Sequence, residues 1–129
     1  MTECRCGSGN PYSECCEPFH LGSAFPQTAE QLMRSRYTAY ALLLKDYLLS
    51  TWAESTRPAE LSFENGLAWT QLEIVQTRQG RAKDKRGWVT FRAHYQIGLD
   101  YGVMEEVSRF ERDAQGYWVY VSGEVREPS

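Results

Sequence analysis

The chain has 129 residues, 42% of them apolar and 24% charged, a composition that excludes a disordered segment. A formal net charge of -3 gives no electrostatic case for duplex nucleic acid or an anionic membrane surface. No stretch approaches the roughly 18 consecutive apolar residues of a membrane-spanning helix.

All four cysteines, Cys4, Cys6, Cys15 and Cys16, fall within the first sixteen residues, around a Gly7-Ser8-Gly9-Asn10-Pro11 turn. The start of the chain has no apolar signal segment, so a reducing, cytoplasmic location is expected, where thiols serve as metal ligands more often than as bridges. Four thiolates would complete a tetrahedral shell with no open position, the arrangement of a structural zinc site. Two alternatives stay open at this level: a disulfide or redox pair joining the two ends of the segment, and unliganded thiols. His20 is an alternative fourth ligand in place of Cys16. Residues 1–22 are expected to form this knuckle and residues 23–129 a separate α+β unit.

Thr28, with Gln31 three residues on, reads as a helix cap. Apolar positions at Leu32, Met33, Tyr37, Tyr40, Ala41 and Leu44 then predict a helix to about Leu44. Asp46 is expected to cap a short second helix running toward Trp52, and Glu54–Pro58 reads as a connection. A third short helix or irregular stretch is expected between Ala59 and Gly66.

Beyond Gly66 the period changes from helical to two. A strand is predicted from Trp69 to Thr77 with Leu72 and Ile74 on one face, ending before a charged tip at 81–86. In the second strand Val89, Phe91, Ala93, Tyr95 and Ile97 alternate with Trp88, Thr90, Arg92, His94 and Gln96. A third strand is expected over 103–112, and Asp113–Gly116 turns it into a fourth over 117–122. Helices followed by a long antiparallel meander predict an α+β fold, with N-terminal helices packed against a curved antiparallel sheet that leaves a concave cavity.

The text Cys4-Arg5-Cys6-Gly7-Ser8-Gly9-Asn10-Pro11-Tyr12-Ser13-Glu14-Cys15-Cys16 resembles the SEC-C zinc motif, named for the C-terminus of the SecA translocation ATPase. The resemblance implies that Cys4, Cys6, Cys15 and Cys16 hold Zn(2+), with a cysteine in the fourth position where SecA has histidine. It continues through Leu32–Tyr37, Asp46–Leu48 with Thr51-Trp52, Glu106–Phe110 and Trp118–Tyr120, which together are similar to the YchJ-like family of small bacterial proteins. That family pairs the knuckle with a nuclear-transport-factor-2-like (NTF2-like) cone and has no assigned reaction. Ala53 stands where relatives often have histidine, and Val107 where arginine is common, so the resemblance carries no catalytic histidine to position 53.

Five polar residues are candidates for a pocket or a structural polar cluster: Arg36, Asp46, His94, Glu106 and Arg109. Arg36, or alternatively Arg34, is expected to cross to Glu106 and anchor helix to sheet, because buried charges need partners. Arg109 lies on the opposite strand face from Glu106, and His94 opposite Phe91. The leading functional expectation is a non-enzymatic binding or adaptor protein that recognises a protein partner through the zinc knuckle. The alternative is a small-molecule-binding protein or enzyme using the cone, favoured if a solvent-connected pocket there contains Glu106, His94 or Asp46. Neither nucleic acid nor membrane is an expected partner, since the basic residues Lys83, Lys85 and Arg86 read as a solvated hairpin tip.

Overall fold

The computed structural model describes residues 3–126, and the ends of the two expected units, 1–2 and 127–129, lie outside the described residues. A 3-10 turn at Tyr12–Glu14 and a short helix α1 (Glu17–His20) follow the first cysteines. Helix α2 spans Ala29–Ala41 and α3 spans Lys45–Ser50. Four strands follow, β1 (Leu67–Gln79), β2 (Arg86–Ile97), β3 (Asp100–Arg112) and β4 (Trp118–Arg126), paired antiparallel in the order β1-β2-β3-β4. N-terminal helices packed on a curved antiparallel sheet are what the sequence periods predict.

Thr28 caps α2 as expected, its hydroxyl accepting from the Gln31 N–H at 3.1 Å. The Gln31 side chain reaches back one residue further than a capping box, to the Gln27 N–H at 2.7 Å. Helix α2 ends three residues before the predicted Leu44. Leu43 takes φ 60°, the Leu44 N–H bonds Ala39 O at 2.8 Å, and the Leu43 N–H bonds Tyr40 O at 3.3 Å, a Schellman ending with leucine where glycine is usual. The reversal sends the chain back so that α3 lies along α2. Asp46 does not cap α3: the cap position is Leu44 and carries no side-chain hydrogen bond, while Asp46 sits exposed in the first turn. No helix forms between Ala59 and Gly66.

Register shifts in the β1–β2 pair, at Trp69/Gln71 and Ile74/Gln76, and in the β3–β4 pair, at Arg109/Phe110, bend the sheet around α2. Its concave face carries Leu72, Val89, Phe91, Ala93 and Phe110, which with Leu32, Met33 and Tyr37 of α2 form the core. Cys4, Cys6 and Cys16 belong to the same cluster, so the N-terminal segment is packed into the domain wall. Residues 51–53 cover the β4 edge through Tyr120 N–H to Thr51 O (2.8 Å) and Ala53 N–H to Tyr120 O (2.7 Å). No described helix is long and apolar enough to cross a membrane.

Candidate functional site

The four cysteine sulfurs converge because the chain doubles back between Cys6 and Cys15. Gly7 and Gly9 take φ values of 80° and 86°, a region in which any side chain is strained, and the Cys4 N–H closes the loop on Asn10 O at 2.8 Å. All four Sγ atoms lie within 4.8 Å of one another, with Cys6 to Cys15 at 3.5 Å and Cys15 to Cys16 at 3.9 Å. A tetrahedral shell with ~2.3 Å metal–sulfur bonds needs sulfurs about 3.8 Å apart, so the donor set fits a thiophilic ion. No pair is bridged.

Charge leads to the same conclusion. Contacts with the Cys16 and Cys4 thiols push Cys6 far below an ordinary thiol, while contacts with Cys4 and Cys6 push Cys16 far above it. Burial pushes Cys15 up to about 11. Sulfurs this close cannot all ionise without a cation among them. Polar groups surround the cluster: Ser8 Oγ lies 3.2 Å from Cys15 Sγ, and Thr38 Oγ1 lies 3.5 Å from Cys16 Sγ and 3.7 Å from Cys4 Sγ. Arg34 donates to Cys6 O at 2.6 Å and pairs with Glu30 at 3.1 Å. Both arms of the cluster are thereby fastened to α2.

His20 is not a ligand in this arrangement. Its Nε2 donates to Ser35 O at 2.8 Å and its Nδ1 accepts from the Tyr12 hydroxyl at 2.7 Å, which uses both ring nitrogens. Burial lowers the imidazole pKa by withdrawing the charged form from water, against the opposing pull of the Ser35 carbonyl and Glu17. The unfolded chain takes up this proton near pH ~6.5 and the folded chain does not, so His20 supports stability above that pH and the support is lost as pH falls through it. Urea midpoints compared between about pH 7.5 and 5.5 should therefore fall less in His20→Gln than in the unsubstituted chain.

The second polar site lies on the other side of α2, in a partly enclosed cavity of about 240 Å³ between helix and sheet. Arg36, only 3% exposed, and Glu106 both line it, but they form no ion pair with each other, contrary to the predicted anchor. Arg36 NH1 donates instead to Leu48 O and Thr51 Oγ1, each at 2.7 Å, at the C-terminal end of α3, where helix carbonyls lack partners within the helix. Its guanidinium lies 4.6 Å from the Tyr120 ring centre and 5.0 Å from that of Trp52. Burial lowers its pKa. Glu106 Oε2 accepts from Ser108 Oγ and lies 3.5 Å from the Tyr120 hydroxyl. A Cβ at Gly123 would collide with that carboxylate and approach the Tyr120 hydroxyl to 2.6 Å, so glycine there leaves Glu106 its place.

The remaining candidates lie elsewhere. His94 is on the convex face, its Nε2 2.6 Å from Glu73 Oε1. Arg109, opposite Trp88 on that same face, pairs with Glu111 at 3.1 Å. Asp46 borders a surface groove with His20, Tyr47 and Tyr117. Of Asp46, His94 and Glu106, only Glu106 lines the concave cavity, because strand alternation puts His94 and Glu106 on opposite faces. Sequence reasoning missed Thr38 and Arg34 as supports of the cysteines, and Thr51 and the Leu48 carbonyl as partners of Arg36. Polar side chains within an apolar helix pattern were the available signal for the first pair; a backbone carbonyl gives none.

The fold and the cysteine cluster together define an NTF2-like protein carrying a SEC-C-type knuckle. Comparison with known proteins is specific: residues 28–123 match the family model described as "YchJ, middle NTF2-like domain". The chain belongs to this UPF0225/YchJ-like family. It is 48% identical to a UPF0225 protein of Corynebacterium efficiens over 96% of this chain and 94% of that one, and 49% identical to a UPF0225 protein of Streptomyces coelicolor over 94% of each. Among solved structures, a SEC-C motif containing protein from Rhodopseudomonas palustris superposes with a TM-score of 0.82 at 31% identity, covering 95% of this chain and 98% of that one. A sec-c motif containing protein from Psychrobacter arcticus, at 22% identity and a TM-score of 0.77 over 98% and 84% of the two chains, shares the fold.

Proposed function

We propose that the protein binds a small molecule in the concave cavity, and that the cysteine cluster holds a structural zinc ion fastening the N-terminal segment to α2. The zinc-holding unit and the cone divide near residue 22, ahead of the stretch 28–123 that the family model matches. A reducing, cytosolic setting belongs to the same reading, because it keeps the thiols available for metal. Zinc closes its shell with four sulfurs and supplies folding energy there, which leaves ligand binding to the cone.

One observation carries the binding reading: a buried arginine and a glutamate line one cavity without forming a direct ion pair. Charged groups are rarely kept this way unless something completes their hydrogen bonds. The test incubates the full chain with the metabolite fraction of a bacterial extract, recovers it by gel filtration and identifies what stays bound. Met104→Trp, which fills the cavity from β3, should lose the retained compound with little change in Tm. Identical retention by both proteins, or none by either, would overturn the proposal.

A protein adaptor is the second reading, favoured by the apolar surface beside the knuckle. Leu21 is 73% exposed, and Phe25, stacked on Tyr117 at 4.4 Å, is 48% exposed; both border a groove of about 420 Å³. In that case Leu21→Ser with Phe25→Ser should lose a copurifying protein that Met104→Trp retains.

A further inference from the structure

The cavity's polar groups restrict the kind of molecule it can hold, given the small-molecule reading above. Arg36 commits NH1 to Leu48 O and Thr51 Oγ1 and also interacts with the Tyr40 hydroxyl, and of its five N–H donors at least one remains for whatever fills the cavity. Glu106 commits Oε2 to Ser108 and Tyr120, while Oε1 receives no hydrogen bond from any described residue. Arg36, a donor, and Glu106, an acceptor, thus line the same cavity with hydrogen-bonding capacity the protein does not fill. Around them Met33, Tyr37, Tyr40, Trp69, Phe91 and Met104 supply flat and polarizable surfaces.

We propose that the occupant is a flat, uncharged aromatic or heteroaromatic molecule that presents a hydrogen-bond acceptor and a donor side by side, as a primary amide or a nucleobase edge does. A carboxylate ligand would satisfy Arg36 but meet Glu106 in a water-poor space, and a cation would satisfy Glu106 but meet Arg36. A neutral edge with both functions completes both groups without leaving a like charge opposed, and without bringing further charge into a partly enclosed space. The volume sets the size. About 240 Å³ is below the ~300–1,000 Å³ of sites for drug-sized ligands, so a single ring system fits and a nucleotide with its phosphates does not.

Three probes of nearly equal shape separate these cases: benzamide, benzoate and benzamidinium. Each is titrated into the full chain, purified under reducing conditions, at neutral pH, and read from the methyl signals of Met33 and Met104 and the indole signal of Trp69. Benzamide should bind at least about tenfold tighter than either charged probe. In Glu106→Gln, benzoate should gain about tenfold and the discrimination against it should disappear. If benzoate or benzamidinium moves those signals at the lowest concentration, the neutral-ligand proposal fails while the cavity remains a binding site. Persistent discrimination against benzoate in Glu106→Gln also overturns it. If no probe moves them, this proposal falls, while the retention experiment with Met104→Trp decides the small-molecule reading separately.

Discussion

Replacing Cys6 by serine should lower the stability of the protein by more than about 3 kcal/mol and make what remains indifferent to metal chelators. Cys6 is fully buried, and its sulfur and backbone oxygen each hold a different part of the assembly. The sulfur is one of four within 4.8 Å, while the oxygen accepts from Arg34 of α2. Residues 3–16 bring few other buried side chains: Cys4, Cys6 and Cys16 themselves supply the contacts with the core. Metal affinity is therefore folding energy for this segment. Hydrogen exchange should show the loss concentrated between Cys4 and His20, with β2 and β3 protected for longer. Urea midpoints with and without chelator check the magnitude. A chelator that leaves the unsubstituted chain unchanged would refute a structural metal.

Arg36→Ala should cost about 3 kcal/mol, for reasons that a surface arginine would not share. The substitution leaves Leu48 O without its donor, removes the cation packed against both Trp52 and Tyr120, and enlarges a cavity that still contains Glu106. Arg36→Lys keeps the charge but not the planar fork, and should recover about half of the loss. Equilibrium unfolding of the three proteins measures this. An unchanged midpoint in Arg36→Ala accompanied by lost benzamide binding would assign Arg36 to the ligand alone and remove it from the anchoring of α3.

The parts of the protein legible in its sequence are those whose signal is local. Four cysteines about one glycine turn, the Thr28 cap and the alternation of Val89, Phe91 and Ala93 each declare a conformation within a few residues, and each is found where expected. The end of α2 was illegible for an equally local reason. Leu42-Leu43-Leu44 continues an apolar helical run, and the left-handed residue that stops it is a leucine, where the readable signal is glycine.

For the polar candidates the limit was distance along the chain. Spacing assigns Glu106 and His94 to faces of their strands but not to neighbours across the fold. That Arg36 would find Leu48 O and Thr51, and not Glu106, depends on the reversal at Leu43 that lays α3 along α2. The sequence by itself determined the cysteine cluster around its glycine turn, the order of helices and strands, and which strand residues share a face, because these are set within a few neighbouring residues. Only the tertiary structure decided that the knuckle is fastened to α2, that Arg36 and Glu106 share a cavity unpaired, and that His94 and Asp46 stand outside it. Those outcomes rest on contacts between segments far apart in the chain, set by sheet curvature and one helix reversal, and no local spacing encodes them.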